Sequence, residues 1–165
     1  MKRELLFVAA VALLGSSCKK PRNGVDSEEH NMVYLPAGDS GMNAAIANAK
    51  STSGQFLEAL RNPKPTFHDF SLKKPYKVPG GTEHLWIAQI TDAGDHLEGI
   101  VANDPVHTRE VRLGDSVTVR IDEISDWKYV DGKKLVGGYT IRYELGKLDA
   151  KERQSILDQA GFTLE

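Results

Sequence analysis

Two short segments carry the residue types that proton transfer and anion binding need. In Glu83-His84-Leu85-Trp86-Ile87 the alternation of an extended chain sends His84 and Trp86 to one face and Glu83, Leu85 and Ile87 to the other. A histidine beside an aromatic wall suits a general base or a ligand contact. The same pair also reads as a hydrogen-bonded structural histidine against a core tryptophan. The second segment, Ile124-Ser125-Asp126-Trp127-Lys128-Tyr129, runs into an Asp131-Gly132 turn. There Asp126 is either an anion in a pocket or a cap that accepts backbone N–H groups, with Trp127 as a packing plug. Arg142 follows the paired Gly137-Gly138 and could pair with Asp126 or Glu83, or hold a bound carboxylate or phosphate. The candidate catalytic set is therefore His84 as general base, Asp126 or Glu83 orienting it, and Arg142 stabilising an anion, although alternation points Glu83 away from His84. Trp86, Trp127, Tyr129 and Tyr139 are the candidate binding residues, since large rigid rings dominate interface energies.

Other chemistries find little support. His30, His68, His84, His96 and His107 lack the roughly two-to-five-residue spacing of zinc ligands, so no metal site is expected. There is no Gly-x-Ser-x-Gly elbow, and a Ser125/His84/Asp126 triad has no sequence signature behind it. The paired glycines read as a bulge rather than a phosphate cradle, and no cofactor is implied. Among 165 residues, 21 Lys+Arg stand against 23 Asp+Glu, a net charge of −2 that offers no positive field for a nucleic acid backbone. With 40% hydrophobic and 27% charged residues, the composition is that of one ordinary globular domain.

The elements that position these residues follow from periodicity. Residues 1–17 have a basic start, an apolar run Leu5 to Leu14 and the small Gly15-Ser16-Ser17, which is the pattern of a secretory signal peptide. Cys18, the single cysteine, stands where a bacterial lipoprotein is acylated, and Leu14-Gly15-Ser16-Ser17-Cys18 resembles a lipobox with its aliphatic residue four rather than three positions before the thiol. The expected product is exported to the cell envelope and held on the membrane through Cys18. Lys19 favours the outer membrane, with the body facing the periplasm. A polar stretch, 18–38, reads as the tether. The spacing of Ile46, Ala49, Phe56, Leu57 and Leu60 predicts one helix from about Ser40 to Arg61, capped by Asp39 or Ser40 and stopped by Pro63. Strands are expected near 67–76, 83–91, 96–101, 116–124 and 138–145, separated by turn residues. The last of these rests on Tyr139, Ile141, Tyr143 and Leu145 alternating with Thr140, Arg142 and Glu144. Asp149 with Glu152 forms a capping-box pair for a final helix that Gly161 stops. The fold class is α+β: a single domain, 39–146, with a curved, mainly antiparallel sheet of about five strands covered by an N-terminal helix, and a helical extension at 147–165.

Glu83-His84-Leu85-Trp86, Gly99-Ile100-Val101-Ala102-Asn103-Asp104-Pro105, Leu113-Gly114-Asp115, and the run from Ile124-Ser125-Asp126-Trp127 to Gly137-Gly138-Tyr139-Thr140-Ile141-Arg142 occur as an ordered series. Together with Met42-Asn43-Ala44-Ala45-Ile46 they resemble the YegJ-like bacterial domain of unknown function, over about residues 40 to 145. The resemblance implies one α+β domain and brings no activity or catalytic residues. Three functions remain in view: a non-enzymatic binding module with an envelope protein partner, an envelope hydrolase using His84 with Asp126 and Arg142, and an inhibitor or immunity-type protein as a special case of the first.

Overall fold

The computed structural model describes residues 38–165, and before them the backbone pairing of Leu5–Leu6 (β1) with Leu35–Pro36 (β2). The remaining residues of the expected signal segment and tether, Cys18 among them, lie outside the described residues. The body runs α1 (Ser40–Ser51), α2 (Ser53–Arg61), β3 (Phe67–Val78), β4 (Gly81–Asp92), β5 (Leu97–Val101), β6 (Ser116–Val119), β7 (Asp126–Asp131), β8 (Lys134–Gly137), α3 (Tyr139–Leu145) and α4 (Ala150–Ala160). It is an α+β domain whose six-stranded sheet has the order β6-β5-β4-β3-β7-β8, every neighbouring pair antiparallel. The two-residue Pro79-Gly80 turn sets the central hairpin, pairing Val78 with Gly81 and hence Tyr76 with Glu83, Pro75 with His84 and Lys73 with Trp86.

The sheet curls. In a flat sheet β3 and β6 would lie about 14 Å apart, three strand spacings. Lys74 Nζ on β3 nonetheless donates to the Thr118 carbonyl on β6 at 2.7 Å. Register shifts between His68 and Ser71 and between Ala88 and Thr91 contain, among the described residues, the two non-glycine residues with left-handed backbone, Asp69 and Gln89, which bend β3 and β4 as bulges do.

Helices lie on both faces. On one, Ala49, Phe56 and Leu57 from α1 and α2 pack with Leu72, Leu85, Ile87 and Trp127. On the other, Ile141 and Leu145 of α3 join Trp86, Val130, Leu135 and Phe162, with Ile156 and Leu157 of α4 against them. The small side chain of Ala49 lets α1 approach closely enough for Trp127 Nε1 to donate to its carbonyl at 2.9 Å. That contact coincides with a break in the expected continuous helix. The Ser51, Thr52 and Ser53 hydroxyls donate back to the Asn48, Ala49 and Lys50 carbonyls, competing with the ladder at the α1/α2 junction.

The segment 138–145 is a helix, not the expected strand. Gly137 and Gly138 both have positive φ, +72° and +63°, and turn the chain out of β8. The Asp126 carboxylate then accepts the Tyr139 and Thr140 N–H groups that a new helix leaves unpaired. Tyr139/Tyr143 and Ile141/Leu145 are four-residue spacings as well as period-two ones, so the pattern alone does not separate helix from strand. Likewise β6 ends at Val119 rather than Ile124, because Glu123 folds back to accept the Arg120 N–H at 2.9 Å and closes a 3-10 turn over Ile121–Glu123. The final helix starts and stops as expected, at the Asp149/Glu152 box and Gly161.

A Cβ at Gly137 would sit 2.3 Å from the Trp127 carbonyl oxygen as well as in left-handed backbone. Gly137→Ala is therefore expected to lower stability by on the order of 3 kcal/mol, read by chemical denaturation. Gly54→Ala, at an open position inside α2, should lose nothing and serves as the control.

Candidate functional site

The densest set of titratable side chains lies on the sheet face under α3. Alternation from the central hairpin and from the Lys73/Asp126 pairing of β3 with β7 gathers His84, Trp86, Lys73, Asp126 and Lys128 there. His84 Nδ1 stands 2.8 Å from Ser125 Oγ, and that hydroxyl donates to the Lys73 carbonyl at 3.2 Å. The network thereby assigns the His84 proton to Nδ1, donating to the hydroxyl oxygen. Burial, reinforced by the Lys73 and Lys50 ammonium charges, pushes His84 down to about 4, so the ring is neutral at pH 7.

Asp126 has no exposed surface. It accepts from the backbone N–H of Trp127 at 2.8 Å, Tyr139 at 3.1 Å and Thr140 at 2.8 Å, and from the Thr140 hydroxyl at 2.5 Å. Lys73, equally enclosed, donates to Thr140 Oγ1 at 2.9 Å and holds its ammonium 4.9 Å from the centre of the Trp86 ring, with Lys128 Nζ at 5.6 Å from that ring. Burial lowers the Lys128 pKa and raises that of Glu144, whose Oε1 is enclosed without a partner.

Chemically this is a closed polar network. Ser125 is 2% exposed and gives its proton to a carbonyl, so it is not placed as a nucleophile. His84 bonds Ser125 rather than Asp126, and both oxygens of Asp126 are spent on its own strand and the start of α3. Arg142 pairs with neither Asp126 nor Glu83. Its guanidinium donates to the carbonyls of Gly137, Leu135 and Leu164, tying α3 to β8 and the chain end. Among the described residues no group of three or more His, Cys, Asp or Glu is placed to hold a metal.

The four aromatic candidates face inward. Trp86, Trp127 and Tyr129 are buried, and Tyr139 packs edge-on against Trp127 at 5.8 Å. Tyr129 stacks on Phe70 at 5.0 Å, and Trp127 lies 5.8 Å from Phe56. These rings build the core rather than an outward contact patch.

Glu83 points to the opposite face from His84, as alternation requires, and holds what sequence reasoning passed over. Its buried carboxylate accepts the N–H groups of Val106 at 2.6 Å, His107 at 3.1 Å and Thr108 at 2.7 Å. These three successive donors belong to the connection 102–115 between β5 and β6, which has no helix or strand of its own. Asn103 Oδ1 accepts from Trp86 N at one end, and Asp115 closes the other by accepting from Arg112 N. Pinned this way, the loop leaves Val106 44% and Leu113 52% exposed, the large apolar side chains most open to solvent among the described residues. The readable signal was the length of an unstructured connection in a compact domain, since such loops are usually functional.

A family model described as an uncharacterized protein conserved in bacteria, DUF2314, matches residues 39–164. The chain belongs to this family. The match extends past residue 145, where the sequence motifs end, and takes in α4, which shares the core cluster with Trp86. Among curated proteins the chain is 34% identical over 100 residues to the uncharacterized protein YegJ of Escherichia coli (strain K12), covering 61% of this chain and 64% of that one. It is also 32% identical over 130 residues to a Neisseria meningitidis serogroup B protein whose name describes it as an ankyrin repeat protein, covering 74% of this chain and 51% of that one. The matched region thus spans about two-thirds and one-half of the lengths of these relatives. No solved structure matches the chain.

The neutral, buried His84 links stability to pH. The unfolded ring takes up a proton near 6.5, the folded ring only near 4, so between these values acid favours unfolding. Relative to His84→Asn, the protein should lose at most about 3 kcal/mol as pH falls through this window. Glu144 works in the opposite sense in both proteins, because its raised pKa favours the protonated folded form, and the difference curve removes it. Denaturant midpoints of the two proteins that run parallel from pH 7 to pH 4 would contradict the assignment.

Proposed function

We propose that the domain is a non-enzymatic binding module whose recognition element is the loop 102–115. The observation that carries this is the Glu83 carboxylate with its three loop N–H donors: the loop is ordered before any partner arrives, and the entropy of ordering it is not charged to binding. Val106 and Leu113 supply apolar contact on that framework. In support, the homologous region also occurs inside a longer relative whose name describes ankyrin repeats, and repeat arrays present extended binding surfaces. The hydrolase reading is weaker, since His84, Asp126 and Arg142 are each engaged with a different part of the fold. An inhibitor or immunity-type role is one form the module could take.

Its proposed place is the cell envelope, with 1–17 as the export signal, Cys18 as the acylated anchor to the outer membrane and 18–38 as the tether. Growth with labelled palmitate checks the anchor: label should enter the wild-type chain and be absent from Cys18→Ser, and label retained by that variant refutes it.

The recognition loop is tested by chemical crosslinking of the full chain in its own cells, comparing wild type with Val106→Asp/Leu113→Asp. Both positions are exposed, so the variant should fold with unchanged circular dichroism and thermal midpoint. A partner crosslinked to the wild type and lost from this variant, but kept by Gln154→Ala on α4, is the expected result. A partner retained by the folded loop variant, or no crosslinked partner at all, rejects the proposal.

A further inference from the structure

Behind the loop lies a second feature that the fold does not use. Tyr76 is 5% exposed, and its hydroxyl is buried without a hydrogen-bond partner. It sits opposite Glu83 in the β3/β4 register, directly under the connection that Glu83 pins. A buried hydroxyl left unsatisfied costs free energy that a phenylalanine at the same position would not. Three carboxylates bear on this hydroxyl: Glu110 and Asp115 from the loop, and Glu123 from the 3-10 turn.

The loop also carries Arg109 and Arg112, and two further cations near Glu123 are already engaged. Lys74 places its ammonium 5.6 Å from the centre of the Tyr76 ring, but donates to the Thr118 carbonyl and stands 3.8 Å from Glu123. Arg120 gives a two-pronged contact to Asp122 and lies 3.7 Å from Glu123. Among the described residues no ion pair involves Glu110 or Asp115. On the same loop, Leu113 stands open to solvent between these two carboxylates in sequence.

We propose that Tyr76, Glu110, Asp115 and Glu123 form a receiving site for an arginine or lysine side chain of a protein partner, with Leu113 packing against apolar residues beside that cation. The guest's N–H groups donate to the carboxylates at the rim and to the phenolic oxygen at the floor, reaching it past the Lys74 side chain, which is 20% exposed. Burial and the three carboxylates push Tyr76 up to about 12, so the phenol stays neutral and its oxygen remains an acceptor across the physiological range. This inference rests on the reading of the loop as the recognition element and names the chemistry that the loop selects.

The test uses the full chain and three probes: acetyl-Leu-Arg-Leu-amide, the same peptide with neutral citrulline in place of arginine, and spermidine as a free cation. Amide resonances of Tyr76, Glu110 and Asp115 are followed by two-dimensional NMR during titration. The arginine peptide should give saturable shifts. The citrulline peptide and the Glu110→Gln variant should each bind about five-fold more weakly, the factor of one charge pair at a partly exposed site. No side-chain hydrogen bond or ion pair of Glu110 is present among the described residues, so the substitution breaks none, and an unchanged denaturation midpoint checks that the fold is kept. Tyr76→Phe should weaken the arginine peptide while leaving the denaturation midpoint unchanged or raised, a combination that a purely structural tyrosine would not give. Equal binding of the two peptides, shifts that never saturate, or unchanged binding by Tyr76→Phe overturns the site. Spermidine binding tighter than the arginine peptide overturns the assignment to a protein side chain. No cellular partner takes part, so a failure here with a partner still lost from the Val106→Asp/Leu113→Asp variant removes the cation site and leaves the binding loop standing.

Discussion

Four donors converge on one carboxylate that solvent does not reach. Asp126 opens β7, and by accepting from Tyr139 and Thr140 it fixes where α3 begins; through the Thr140 hydroxyl it also holds the ammonium of Lys73 over the Trp86 ring. A buried charge is tolerated only when its hydrogen-bonding capacity is filled, and here the start of a helix does the filling. The constraint runs both ways. Without the helix the carboxylate would be stranded, and without the carboxylate the first N–H groups of a seven-residue helix would have nothing to bind. The polar face of the sheet is organised from this point, and the residues there that look catalytic in sequence are occupied in keeping α3 in place.

The opposite face works by a different principle. Phe56, Phe67, Phe70, Trp127, Tyr129 and Tyr139 pack ring against ring between the sheet and the N-terminal helices, so most ring-on-ring packing lies on one side while a smaller apolar cluster around Trp86 serves the other. That division leaves the β5/β6 connection as the place where apolar side chains emerge, and there a carboxylate again does the positioning. Glu83 does for a loop what Asp126 does for a helix: it collects successive backbone donors that no ladder would otherwise satisfy.

What could be read from the sequence divides along the same line. Elements whose stop and start signals are local were legible: the Asp149/Glu152 box, the Gly161 stop and the alternation that separates His84 from Glu83. Elements fixed by a partner far along the chain were not. The cap of α3 lies 13 and 14 residues before the N–H groups it receives, and the indole that meets Ala49 near the end of α1 comes from 78 residues away. The site divides likewise. Given the hairpin, the pairs Tyr76/Glu83 and Lys73/Trp86 follow by counting, whereas the capture of the loop by Glu83 depends on how a connection without periodicity folds back across the sheet.

The far edge of the sheet shows how this architecture ends. β8 is an outer strand, and its outward backbone groups are met by the last residues of the chain: Thr163 donates to the Lys133 carbonyl and its own carbonyl accepts from Leu135, while Phe162 closes the core behind them. An unpaired edge is a template for pairing with another molecule. In this fold the protection arrives with residues 162–163, so during synthesis the sheet carries a sticky margin until they are in place. Residues 162–163 are thus a seal on the domain: without them every strand would remain, and the defence against self-association would be lost.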